Sequence, residues 1–207
     1  MPSRFDSEAS AAELDSMAKR IEARPGPATW ALEFAQRDLS GLTAGDWYNV
    51  RLELAAWLLP FRDAPGGEPL PSENEVRRLQ RRFATIVSSL LRDGQVPIGR
   101  YDIVLTVTGT GATSLTLKSP SADGPYITRL MLVLFEHRTV IRTCVAPPAR
   151  GQTGSKCGRW FLANRRSQSY CSRRCQSRAS TQAFRHAQSK GEARQRRARP
   201  TRRRVER

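Results

Sequence analysis

Histidine is scarce in this chain: only His137 and His186 are present. No Ser–His–Asp set, metal-hydrolase signature or Gly-Lys-Ser/Thr phosphate loop can be assembled, which argues against an enzyme. Cysteine is absent from the first 143 residues. Apolar runs of about 18 residues, the length a membrane-spanning helix needs, are missing as well. The opening Met1-Pro-Ser-Arg-Phe-Asp6 lacks the basic-then-apolar build of a secretory leader, so the expectation is a cytoplasmic protein with no membrane partner. No period of about 20–50 residues repeats, which excludes solenoid and propeller arrays. Acidic residues are nearly absent from the last third, where Glu192 and Glu206 stand alone.

That last shortage divides the chain. Residues 1–143 carry 17 basic and 17 acidic side chains, whereas residues 144–207 carry 18 basic and 2 acidic ones, which is the whole net charge of +16. Arginine outnumbers lysine, as a GC-rich coding sequence would also impose, but codon bias does not segregate charge. A basic segment of this kind suits a polyanion, because phosphate contacts release condensed counterions. The expected organisation is a helical α+β N-terminal domain over 1–143, a finger with a basic helix over 144–190, and a disordered Arg-rich tail over 191–207.

The neutral part reads as helices followed by a hairpin. Leu14, Met17 and Ile21 share one face of a first helix over Glu8–Glu22, ended by Arg24-Pro-Gly-Pro27. A second short helix runs through Trp30, Leu32 and Phe34 to Leu39. Thr43 with Asp46, and Ser72 with Glu75, are helix-start patterns in which a hydroxyl accepts from a backbone amide while the acid reaches back. The first opens a run with Trp47, Val50, Leu54 and Trp57 at helical spacing; the second opens the cleanest stripe, Val76 to Leu91. Arg77, Arg78, Arg81 and Arg82 fall on the other side of that stripe and read as a solvated face. Tyr101–Val107 and Ser114–Leu117 are β-rich runs joined by Thr108-Gly-Thr-Gly-Ala112, a hairpin. Tyr126–His137 returns to helix, and Val140-Ile141 leads as a short strand into Cys144.

All four cysteines, Cys144, Cys157, Cys171 and Cys175, lie in the basic part. In a chain with no export signal, clustered cysteines point to metal more than to disulfides. Four thiolates suit one structural zinc ion (Zn2+), and such a closed site has no open position for catalysis. Cys175 precedes a helix-compatible run, Gln176–Gln188, and a thiolate at a helix start gains from the dipole. A hairpin is expected from Gly158–Ala163 through the strand-like Arg165–Tyr170, giving a treble-clef-like arrangement. Trp160, Phe161 and Tyr170 are expected in the small core of the finger. Cys144 is separated from Cys157 by a Pro- and Gly-rich loop, so three cysteines with another ligand is the alternative. His186 is the obvious substitute, although it lies about 16 Å along a continuous helix from Cys175.

The segment Cys157-Gly-Arg-Trp-Phe-Leu-Ala-Asn-Arg-Arg-Ser-Gln-Ser-Tyr-Cys-Ser-Arg-Arg-Cys175 resembles the bacterial CGNR-type zinc fingers. In those, a Cys-Gly-x-x-Phe strand precedes an aromatic-Cys-Ser and a final Cys that opens a basic helix. The family's closing Cys-Gly-Asn-Arg is here Cys175-Gln-Ser-Arg178, and its first cysteine pair is much closer. The layout is also similar to that family, whose members often place a helical domain called ABATE before the finger. The resemblance implies DNA binding and transcription regulation.

Arg173, Arg174, Arg178, Gln182 and Arg185 surround or follow the last cysteine and are the candidate nucleic-acid contacts. Arg178, Gln182 and Arg185 recur on one helical face, which can lie along phosphates or read base edges. Arg178 has a second reading, as a cap packed over the finger. The favoured function is nucleic-acid binding, DNA before RNA. The N-terminal domain is read as a sensor of an unknown small ligand or as a homodimer interface. The rivals are an RNA- or ribosome-associated zinc protein and a structural zinc module for protein–protein contact.

Overall fold

Two helix starts in the N-terminal part are fixed by side chains that turn back on the backbone. Thr43 accepts from the amide of Asp46 while the Asp46 carboxylate accepts from the amide of Thr43, and helix α3 (Ala44–Leu58) follows. Ser72 and Glu75 make the same reciprocal pair at the start of α4 (Glu73–Asp93). Each pair satisfies amides that the first turn of a helix leaves without partners. At the other end of α4, Gly94 adopts φ 68°, and its N–H bonds to the Leu90 carbonyl. Only glycine takes that left-handed geometry without a Cβ penalty.

The computed structural model describes residues 9–23, 26–59, 69–94, 102–107, 113–118 and 121–198. Besides α3 and α4 it contains α1 (Ala11–Ala23), α2 (Pro27–Gln36), α5 (Gly124–His137) and α6 (Arg173–Ala198). Strands β1 (Asp102–Val107) and β2 (Thr113–Lys118) pair antiparallel, from Asp102 opposite Lys118 to Val107 opposite Thr113. The expected Thr108–Ala112 turn lies outside the described residues. Strands β3 (Ile141–Thr143) and β4 (Trp160–Leu162) form a second two-stranded sheet. The architecture is thus mainly helical with small antiparallel sheets, an α+β chain.

The chain divides into two compact units: residues 1–141 with 160–162, and residues 142–159 with 163–207. In the first, α1 packs on α3 and α2 on α4. Its centre is aromatic. Trp30 stacks on Phe34 and Trp57, with ring centroids 5.1 and 5.2 Å apart, and Phe83 meets Phe34 and Trp57 edge-on at 5.4 Å. The indole N–H groups are satisfied, Trp57 by the Pro27 carbonyl and Trp30 by Glu53. The buried Arg129 guanidinium lies 4.9 Å from the Trp57 ring centroid and pairs with Glu22. A cation stacked on an aromatic face and paired with a carboxylate offsets part of its desolvation.

Three of the four α4 arginines are engaged rather than merely solvated. Arg78 and Arg82 both pair with the buried carboxylate of Asp123, at 2.7 and 2.8 Å. Arg77 stacks over Trp47, 4.7 Å from its centroid. A second departure concerns Trp160, expected in the finger: Trp160 and Leu162 pack against the core of the first unit.

Candidate metal centre and basic groove

In the second unit the backbone brings the first two cysteines together by antiparallel pairing. The Cys144 amide bonds to the Arg159 carbonyl, Gly158 N–H to the Cys144 carbonyl, and Cys157 N–H to the Ala146 carbonyl. The hairpin-like element is therefore built from residues 144–146 and 157–159, on either side of the Pro- and Gly-rich loop. It is not built from Gly158–Ala163 and Arg165–Tyr170, as the sequence suggested. Arg165–Tyr170 forms no strand. There the Gln168 side chain accepts from the Asn164 amide and donates to the Tyr170 carbonyl, taking the place of a ladder partner.

The other two cysteines sit at the start of α6. Ser172 caps it: its hydroxyl accepts from the Cys175 amide at 3.3 Å, and its carbonyl from the Gln176 amide. Cys175 thus occupies the first turn, where the helix dipole favours an anion. The Val145 amide bonds to the Ser169 carbonyl, tying the Cys144 strand to the approach to Cys171.

The result is one cluster. The sulfurs of Cys144, Cys157, Cys171 and Cys175 all lie within 4.8 Å of one another. Cys171 and Cys175 are 3.4 Å apart, and Cys175 and Cys157 are 3.9 Å apart. A tetrahedron of thiolates around an ion at about 2.3 Å puts its sulfurs about 3.8 Å apart, so this donor set fits one metal ion. None of the four is in a disulfide. Cys144 is fully buried and accepts from the Cys171 amide at 3.4 Å, so it belongs to the cluster despite its long loop. His186 is exposed on α6 and stands outside it.

The protonation of the cluster also suits a cation. Burial pushes the Cys171 thiol up, and the neighbouring Cys175 and Cys144 sulfurs raise it further, to about 12. Burial raises Cys157 too. For Cys175 burial again opposes ionisation, but hydrogen bonds from Ser172 and from the other three thiols outweigh it and bring it down to about 7. One thiolate, that of Cys175, therefore forms near neutrality. Ionising Cys157 and Cys171 beside it requires a positive charge among the sulfurs.

Helix α6 leaves this cluster as a rod of about 39 Å, with residues 180–190 exposed on every side. Arg174, Arg178, Gln182 and Arg185 line one groove of about 690 Å³, together with Ser177, Thr181 and Pro147. Those helical positions repeat at three and four residues and so form a single stripe. Arg173 does not join them; it lines a separate polar recess with Arg165, Ser172 and Gln176. Arg178 is half-buried, and its Nη2 donates to the Cys175 sulfur at 3.0 Å, which is the cap-like placement. The helix runs on to Ala198, so residues 191–198, expected to be disordered, are helical; residues 199–207 lie outside the described residues. Pro147, Ser177 and Thr181 were missed in the sequence, although Ser177 and Thr181 fall on the periodicity already traced by the arginines.

No protein-family model, curated protein or solved structure matches the chain. Among the described residues no helix is long and apolar enough to cross a membrane.

Proposed function

We propose that this protein is a zinc-dependent nucleic-acid-binding protein acting as a DNA-binding transcription regulator, as the CGNR resemblance implies. The observation that carries the proposal is the rise of α6 directly from the four-cysteine cluster, with Arg174, Gln182 and Arg185 along one groove. Zinc is the ion proposed because an all-thiolate tetrahedron is one of its usual structural settings. It would be held by Cys144, Cys157, Cys171 and Cys175, and would supply folding energy rather than chemistry. The role is non-catalytic and cytoplasmic.

Duplex DNA is preferred over RNA on shape. An α-helix about 10–12 Å across fits the B-form major groove, whereas the A-form major groove is too deep and narrow to admit it. The test is a titration of full-length protein with duplex DNA and with structured RNA at matched ionic strength. Tighter DNA binding with a steep salt dependence is the expected result. Tighter RNA binding would move the protein to the ribosome- or RNA-associated class. Affinity indifferent to salt would make the finger a protein–protein module instead.

A further inference from the structure

We propose that Arg178 belongs to the metal centre, as the positioning and charge-compensating partner of the Cys175 thiolate, and is not primarily a nucleic-acid contact. This rests on the reading that the cysteines hold a metal.

Arg178 lies three residues beyond Cys175, which places the two side chains on the same helical face. The residue is half-buried, and no carboxylate pairs with it among the described residues. Its Nε is buried without a hydrogen-bond partner. The hydrogen bond from Nη2 goes to the Cys175 sulfur. A guanidinium cannot shed its proton, and a partly buried cation needs an anion beside it. A neutral thiol is a weak acceptor for such a donor, whereas a metal-bound thiolate is the missing anion. Four thiolates around a divalent ion carry a net charge of minus two; one arginine halves that charge beside the buried Cys175. The Cys171 amide performs the matching task at Cys144. Such outer contacts orient ligands and tune the retention of a metal.

The test uses full-length reduced protein loaded with Co2+ for spectroscopy and with Zn2+ for release into a chelator. Wild type should show the intense d–d bands of a tetrahedral thiolate site. Arg178→Ala should release Zn2+ about 10- to 100-fold faster. Its sulfur-to-Co2+ charge-transfer band should move to lower energy, because a hydrogen bond from nitrogen stabilises the sulfur lone pair. A role in packing alone would not move that band. Arg178→Lys, which keeps the charge, should recover much of the release rate and covers the case in which the alanine variant does not fold. Lys190→Ala, exposed and about three turns further along α6, should release the ion and absorb as wild type. Wild-type release and an unshifted band in both Arg178 variants would overturn the assignment while leaving the metal site standing. Failure of the wild-type protein to take up either ion would instead remove the metal reading, and this assignment with it.

Discussion

Gln36 and Trp160, 124 residues apart, hold each other at both ends: the Trp160 amide donates to Gln36 Oε1 at 2.7 Å, and Gln36 Nε2 donates to the Trp160 carbonyl at 3.3 Å. The pair fastens β4 to the end of α2, within the first unit. Gln36→Ala removes both bonds and leaves a part-buried amide without its acceptor, a loss of about 1–3 kcal/mol. Urea titration of the full chain should show the first unit destabilised by that amount. A truncation at residue 143, which discards β4 altogether, should be less stable than one at 163.

Asp123 gives a second stability prediction, with a sign in pH. Burial pushes its carboxyl up, but hydrogen bonds from Arg78 and Arg82 outweigh this and hold it below the ordinary aspartate range. A depressed folded-state value means stability that is fully present above the unfolded value, near pH 4, and lost as pH falls through the folded one. Asp123→Asn should cost about 1–3 kcal/mol at neutral pH. It should also shallow the acid limb of the stability curve below pH 4. A variant with an unchanged acid limb would show that the two half-exposed arginines rehydrate at no cost.

What the sequence disclosed and what it hid divide along range. The capping pairs Thr43/Asp46 and Ser72/Glu75 were legible because both partners lie within one turn. The Val76–Leu91 stripe was legible because burial on one face imposes a period. Trp160 was misassigned because its partner, Gln36, is remote in sequence, and aromatic side chains beside cysteines read naturally as the core of a finger. The strand expected over Arg165–Tyr170 fails because Gln168 bonds to the local backbone itself. The helical stretch 191–198 was hidden because it has no apolar stripe, although Ala, Arg, Gln and Glu are all good helix formers. The four cysteines were legible by residue type; that Cys144 joins the other three needed the strand pairing with 157–159.

Metal binding should therefore depend on Cys144 and not on His186. Cys144→Ser should lose stoichiometric zinc and the ordered finger, leaving the helical unit folded, whereas His186→Ala should retain the metal. Zinc content by elemental analysis decides between them. Uptake should also release protons at neutral pH and weaken on acidification, since Cys157 and Cys171 are held protonated in the metal-free cluster.

The groove arginines should separate by position. Arg174→Ala and Arg185→Ala should each weaken duplex binding and reduce the slope of log affinity against log salt by about one. Arg173→Ala, which faces the other recess, should change both less. Deleting residues 191–207 should weaken binding to all duplexes alike and flatten the salt dependence. Equal losses at all three arginines would mean that binding is spread over the whole basic surface, with no preferred face.

The most direct measurement compares duplex DNA binding by the zinc-loaded protein with that of the same protein stripped of metal under reducing conditions, at one ionic strength. Stripping leaves every arginine in place and removes the ion proposed to join α6 to the cysteine hairpin. Affinity should drop about tenfold or more, about 1.4 kcal/mol, and return when zinc is added. Identical affinity with and without the metal would contradict the proposed function, and would reduce the finger to a staple beside a general polyanion-binding tail.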